Sequence, residues 1–355
     1  MNRPLRQSGD GSVQIPAAGR FVGAIRGRAR GPAAATPSNI ARHLVLAYRP
    51  GWQSLDDLNA IASHVSEIDP SIRTFVVPTT IANSVTRKAM AGRPSLVVAP
   101  GRMPVFKPAR GKIYQGYPIP KIDELRRLVA AGVPVPLTAI LTPNLKLDPK
   151  KWGEFVIVKP TDIATSSHGL GIQLMRTHRV RYVAPRDYPR DHPGRRGPMM
   201  VQQFVDTGDS ISTYRVLTFL GAPLYSQLNL SDDPRVVLNA PDEVIESANA
   251  ALQTSNTRKG LLVEEPDVLA VAVAADRAIP EIPLKGCDIL RDAKTGRLYV
   301  IEVNCGGNTW HFSSRYSAAL RRSYGAEYEL QRRRQFDAMR TAARVLVART
   351  NAEAE

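Results

Sequence analysis

Two carboxylates and an amide can be brought together by one hairpin in this sequence. Lys285-Gly286-Cys287-Asp288-Ile289-Leu290 and Leu298-Tyr299-Val300-Ile301-Glu302-Val303-Asn304 are apolar, β-branched runs on either side of Asp292-Ala293-Lys294-Thr295-Gly296. Such runs around a Gly-containing loop predict an antiparallel pair. If Arg291 pairs with Arg297 across the loop, Asp288, Glu302 and Asn304 share one face, while Ile289, Ile301 and Val303 point the other way into a core. Oxygen donors without cysteine or histidine suit a hard cation, Mg²⁺ above all. Acids on a solvent face are common, so the alternative is a half-exposed hairpin with incidental charges.

Other segments carry compatible chemistry. Lys159 ends the apolar run Glu154-Phe155-Val156-Ile157-Val158 and is followed by Pro160. A lysine at a strand end is usually a solvated gatekeeper. Here it precedes Asp162 to Gly171, a Ser- and Gly-bearing stretch in which Ser166, Ser167, Gly169 and Gly171 can offer backbone N–H groups to phosphate oxygens. His168 in that stretch reads as a loop side chain rather than a base. Gln202-Gln203-Phe204-Val205 leaves a predicted strand, and such an exit can present backbone polar atoms to a heterocycle edge between apolar walls. Arg215, within Tyr214-Arg215-Val216, can aim a planar guanidinium at a phosphate, or simply lie on the surface.

The elements that must position these groups are legible in outline. Residues 1–39, rich in Gly, Ala, Pro, Ser and Arg, have no sustained period and read as a disordered basic tail reaching to about residue 41. A small α/β domain over 42–105 is predicted from a strand at 42–48, a helix at 55–67, a strand at 72–77, a helix at 81–90 and a strand at 95–99. Lys112 follows, then a helix from Lys121 to Ala131, stopped by Gly132-Val133-Pro134-Val135-Pro136. The chain then turns β-rich, with strands expected at 154–160, 171–175, 199–205 and 214–219. After these come a polar segment at 231–259, a helix at 267–278, the hairpin, and one basic helix over 318–349.

In this order the motifs resemble the ATP-grasp superfamily. They are Lys112 ahead of the helix and Gly-Val-Pro-Val-Pro, Val158-Lys159-Pro160, the Ser/Gly loop, Val201-Gln202-Gln203-Phe204-Val205, the Arg215 strand, and Gly286-Cys287-Asp288 with Glu302-Val303-Asn304. The resemblance spans about residues 107–314. Within the superfamily it is greatest to the ribosomal-protein glutamate ligase and related carboxylate–amine ligases. It implies an α+β ATP-grasp domain over 106–320 with a lid subdomain at about 150–205, an α/β pre-ATP-grasp domain before it, and a basic C-terminal helix over 321–355. It also implies that Lys112 and Lys159 reach the phosphates of ATP, that residues 166–171 cover them, and that Gln203 and Val205 meet adenine through backbone atoms. Arg215 then stands near the γ-phosphate, and Asp288, Glu302 and Asn304 hold two Mg²⁺ ions, with Mn²⁺ as a substitute. The implied reaction is ATP-dependent joining of a small-molecule or peptide carboxylate to an amine, with release of ADP. The sequence departs from the family pattern at Gln203, where glutamate is usual, and in Cys305-Gly306-Gly307-Asn308-Thr309-Trp310-His311-Phe312 after the hairpin.

That last segment leaves the hairpin past the reacting centre, so Asn308, Trp310, His311 and Arg315 are expected to line the pocket for the carboxylate substrate. The alternative is that Trp310 and Phe312 pack the base of the C-terminal helix. Bulk properties narrow the rest. The net charge of +16 is spread over the first residues, 176–196 and the last helix, without a recognisable nucleic-acid-binding motif, which points to anionic ligands rather than nucleic acid. The longest apolar stretch, 268–275, is too short for a membrane span, no secretory signal is visible, and two cysteines fit a reducing cytoplasm. Two rival functions remain at this level. One is kinase-type phosphoryl transfer on the same fold, and the other is a non-catalytic nucleotide-binding protein.

Overall fold

The computed structural model describes residues 39–161, 171–231, 237–247, 258–314 and 317–355. Residues 1–38 of the tail, Ser166, Ser167, His168, Gly169 and Arg315 therefore lie outside the described residues. The fold is α/β, and the described residues form three sheets, one parallel and two antiparallel.

The first sheet contains β1 (Arg42–Tyr48), β2 (Ile72–Pro78), β3 (Ser95–Ala99) and β4 (Lys112–Gln115), all parallel, in the order β2-β1-β3-β4. β1 and β3 are almost wholly buried, as their unbroken Val, Leu and Ala content requires of central strands covered on both faces. Helix α1 (Leu55–Ile68) starts where the Ser54 side chain accepts the Asp56 N–H. It packs on one face, and α2 (Ser84–Ala91) begins at Asn83, whose side chain accepts the Thr86 N–H. That cap starts the helix three residues later than the apolar pattern suggests. β4 lies beyond residue 105 yet completes this sheet.

Helix α3 (Lys121–Ala130) leads to the second sheet, β5-β8-β6-β7, formed by β5 (Thr138–Ile140), β6 (Phe155–Pro160), β7 (Gln173–Arg176) and β8 (Met199–Gln203). A short helix, α4 (Pro149–Trp152), sits between β5 and β6. The third sheet, β11-β10-β9-β12-β13, joins β9 (Ser212–Phe219), β10 (Ala222–Ser231), β11 (Arg258–Leu262), β12 (Leu284–Arg291) and β13 (Leu298–Cys305). Helices α5 (Asp242–Ser247) and α6 (Pro266–Arg277) fall between its strands. α5, and the first two residues of β11, lie within the stretch that reads only as polar in sequence. Val268, Ala272 and Ala275 of α6 pack with Val216, Ile289 and Val303 beneath this sheet.

The C-terminal region is two helices, not one. α7 (Ser317–Gln335) is kinked at Gly325, and α8 (Ala338–Glu353) follows Asp337, which takes a left-handed φ of 46°. The break turns Ala338, Ala342, Ala343 and Leu346 inward, against Leu58 and Ile61 of α1 and Leu44 and Leu46 of β1. The last helix is thus a layer of the first sheet's core. Among the described residues no helix is long and apolar enough to cross a membrane.

One buried acid ties these layers together. Asp57, 6% exposed on α1, accepts hydrogen bonds from Trp310 Nε1 at 2.8 Å and from Arg333 Nη1 at 2.6 Å. Removing it strands an indole N–H and a guanidinium, so Asp57→Ala should lower unfolding free energy by about 3 kcal/mol in denaturant titration.

Candidate active site

The third sheet sets the site through a register detail. At the turn end Arg291 pairs with Leu298 and Ile289 with Val300, one residue out of the expected alignment. Continued along the ladder, that offset would turn Glu302 away from Asp288. A bulge intervenes: Ile301 is the extra residue, and beyond it Asp288 pairs with Glu302 and Gly286 with Asn304. The expected face is therefore restored for the three polar side chains. Ile289 and Val303 enter the core as expected, but Ile301 does not; the bulge places it on the wall of the cleft.

Asp288 is gripped from two sides. Arg215, on the neighbouring strand β9, lies opposite it in register and forms a two-pronged ion pair with it, Nη2 to Oδ2 at 2.7 Å and Nε to Oδ1. Asn304 Nδ2 donates to Asp288 Oδ2 at 3.0 Å. Gly286 leaves room for this packing: a Cβ there would stand 2.6 Å from Thr309 Cγ2 and 3.2 Å from Arg215 Nη1. Burial pushes the Asp288 carboxyl up against the opposing pull of Arg215. Glu302 is lowered on balance: burial acts to raise it, but Lys121, Lys159 and Arg215 outweigh that effect.

Lys159, the penultimate residue of β6, is 8% exposed, its Nζ donating to Gln202 Oε1 at 2.8 Å. Burial, reinforced by the positive charge of Lys121, brings its pKa down to about 8. Lys121, the first residue of α3, places Nζ 3.4 Å from Glu302 Oε1. A lysine at a helix N-terminus opposes the helix dipole. Its presence there, with no side-chain cap from Pro120, is the sequence signal that could have singled it out.

Lys112 does not join this group. It sits on β4 of the first sheet, its side chain 43% exposed and its Nζ 3.4 Å from Glu353 Oε2. Neither cavity described below is lined by it. The strand that carries Lys112 pairs with β3, and its ammonium is turned to Glu353 at the end of α8; Lys121 stands where Lys112 was expected.

Around these groups lies a cleft of about 220 Å³. Arg215, Asp288, Glu302, Lys121 and Lys159 form its polar end, while Gln202, Gln203, Phe204 and Val205 line its rim. Ile157 from β6 and Ile172 beside β7, with Leu290 from β12 and Ile301 from β13, supply its apolar lining. Gln203 and Phe204 N–H groups are used internally, by Leu137 O at 2.8 Å and Phe155 O at 3.3 Å. Thr213 and Asn229 complete the lining and were not picked out by sequence. Gly171 takes a left-handed φ of 72° at the entry to β7 and does not line this cleft.

A second cavity, of about 390 Å³, meets the first at Lys121 and Glu302. Asn304, Asn308 and Thr309 line it, with Arg49, Trp52 and Arg102 from the loops after β1 and β3. Of the described side chains expected there, Asn308 arrives and Trp310 and His311 do not. Trp310 is fully buried and packs edge-on to Phe312 and Phe219. His311 is held by the Tyr225 hydroxyl at 2.8 Å, and burial keeps its pKa well below the usual histidine value. The glycines after Asn304 explain this: Gly307 packs on Gly101 and Trp52, and Gln53 Nε2 donates to its carbonyl at 2.8 Å, so the chain turns into the core. Glu124, which sequence did not single out, also lines this cavity. It accepts the Val303 N–H at 2.8 Å, and burial raises its pKa to about 8.

Among the described residues no three His, Cys, Asp or Glu side chains gather as metal ligands. The donor set here is two carboxylates and the Asn304 amide. All three supply oxygen, and each carboxylate oxygen retains further lone pairs, so the set fits a hard divalent cation shared with Arg215.

No family model and no curated protein matches the chain. Among solved structures it is similar to the D-cycloserine synthetase DcsG, with 17% identity over 87% of this chain and 99% of that one, at a TM-score of 0.45. The ATP-grasp ligase PsnB, complexed with a phosphomimetic variant of its minimal precursor, Mg and ADP, is similar at 13% identity over 88% and 100%, with a TM-score of 0.45. D-alanine–D-alanine ligase from Bacillus anthracis follows at 13% identity over 86% and 98%, with a TM-score of 0.39. Likenesses this distant assign neither a reaction nor a substrate to this chain.

Two outcomes are expected of the lysines. If a polyphosphate such as ADP occupies this cleft, Lys121→Met should weaken its binding at least about tenfold in calorimetric titration, the loss of one buried charge-assisted contact, whereas Lys112→Met should leave it unchanged. Because Lys159 loses its proton near pH 8, its attraction for phosphate is present below that pH and fades above it. ADP affinity should therefore fall between pH 7 and pH 9, and Lys159→Met should flatten that profile without lowering the melting temperature.

Proposed function

We propose that this chain is an ATP-grasp enzyme that joins a carboxylate to an amine with release of ADP. The observation that carries this reading is the meeting of Lys121, Lys159 and Arg215 with Asp288, Glu302 and Asn304 at one end of an apolar-walled cleft. Three cations and an oxygen-donor set in one place are suited to a polyphosphate and its counter-cation. The opposite end, between Ile157, Ile172, Leu290 and Ile301, suits a flat heterocycle. Val205 leaves the sheet at that rim, and its N–H has no acceptor among the described residues. It would donate to the ring edge.

In this reading Lys159 and Lys121 bind phosphate oxygens and neutralise charge as the terminal phosphoryl group moves. Arg215 both orients Asp288 and presents its remaining donor edge toward that group. Mg²⁺ held by Asp288, Glu302 and Asn304 would supply charge neutralisation at the phosphates, and the set is compatible with Mn²⁺. A carboxylate oxygen of the substrate attacks the γ-phosphorus, the bond from that phosphorus to the β–γ bridging oxygen breaks, and ADP departs. The amine nitrogen then attacks the acyl carbon, the carbon–oxygen bond to phosphate breaks, and the amine gives up a proton as inorganic phosphate leaves. Residues 166–171 are proposed to cover the phosphates and exclude water from the acyl phosphate. The junction of the two cavities at Lys121 and Glu302 favours transfer to a substrate arriving from the second cavity.

Hydroxylamine replaces the amine in such a reaction and yields a hydroxamate only if an acyl phosphate forms. With ATP, Mg²⁺ and a panel of carboxylic acids, the chain should give both ADP and hydroxamate. Glu302→Gln should reduce both by at least about a hundredfold, the scale of removing a transition-state electrostatic contact, with the melting curve unchanged. ADP release without hydroxamate would favour phosphoryl transfer to a hydroxyl instead.

A further inference from the structure

The first sheet has its own ligand-binding geometry. From β1 the chain runs to β2 on one side, then returns across to β3 on the other, so β1 and β3 flank the point where the strand order reverses. In open parallel sheets, ligands settle in the crevice beyond the carboxyl ends of the strands at such a point. Here those ends carry Arg49, directly after β1, and Arg102, three residues after β3, and both line the second cavity. Neither guanidinium has an acidic partner among the described residues. Arg215, Arg291, Arg333 and Arg349, by contrast, are all paired. The Arg49 guanidinium lies over the Trp52 ring, 4.1 Å from its centroid, which fixes its plane and leaves its edge donors for a ligand.

We infer that Arg49 and Arg102 form an anion subsite in the second cavity, selecting a substrate that carries a free carboxylate besides the group that reacts. This deepens the ligase reading and rests on it. Lys121 and Glu302 mark the reacting end, where the two cavities meet. An acid substrate held at the far end by a guanidinium fork would present its other carboxylate to the phosphoryl group. The same charge could belong to the acid substrate or to the amine substrate, and the shared chemistry is a free carboxylate on a short linker.

The test uses the full chain with ADP and Mg²⁺ present. Succinate, glutarate and adipate are titrated against butyrate, valerate and hexanoate, and then glycine and β-alanine against methylamine and ethylamine. At least one carboxylate-bearing member should bind tenfold or more tighter than its counterpart. Which series shows it identifies the substrate that carries the anion. Arg49→Gln and Arg102→Gln should each erase most of that preference while leaving ADP affinity within twofold. Equal binding in every pair, or a preference that survives the double substitution, would overturn the inference. ADP binding is read in the same samples, so its absence counts against the ligase reading separately from the acid and amine results.

Discussion

The rest of the site depends on how β12 and β13 pair. The turn delivers the two strands one residue out of the alignment that would match their polar faces, and the bulge at Ile301 corrects it. Without that extra residue Glu302 would enter the apolar layer formed by Val216, Ile289 and Val303, where an unpaired carboxylate costs several kcal/mol. Sheet packing and the polar site therefore demand the same register. The bulge also moves Ile301 from core to cleft, which furnishes one wall of the space proposed for the heterocycle.

Charge is balanced around that hairpin with little surplus. Lys159 and Arg215 lie in surroundings that penalise charge, and each is compensated differently. Arg215 keeps its proton through the paired oxygens of Asp288, whereas Lys159 has, among the described residues, only the neutral Gln202 amide within hydrogen-bond reach and is brought down to about 8. A buried lysine without an anionic partner at contact distance is costly unless a ligand supplies the charge. Phosphate oxygens would do so, and they would draw the lysine back toward its protonated form.

Much of this was legible in sequence because it is local. The alternating strands around Asp288 and Glu302, the Lys159-Pro160 strand end, the Gln202–Val205 exit and the first three parallel strands all follow from periodicity and turn chemistry. What was not legible depends on long-range packing. Lys112 and Lys121 are only nine positions apart, but β4 pairs with β3 and carries the first away, while α3 aims the second at Glu302. Trp310 and His311 follow the hairpin as closely as Asn308 does. Yet the indole is claimed by Asp57, 253 residues distant, and the imidazole by Tyr225, so both turn inward. Arg49 and Arg102 carry no local motif at all; the strand order of a sheet gives them their place. The two-helix C-terminus was hidden for the same reason, since its break at Asp337 serves contacts with α1 and β1.

The central claim is that a nucleotide lies along the cleft with its phosphates between Lys121, Lys159 and Glu302. A crystal structure of the chain with Mg²⁺ and a non-hydrolysable ATP analogue tests it most directly. The account requires the ring between Ile157, Ile172, Leu290 and Ile301 against the Gln203–Val205 backbone, with the terminal phosphate at the junction of the two cavities. Nucleotide bound elsewhere, or phosphates resting on Lys112 rather than Lys121, would contradict it.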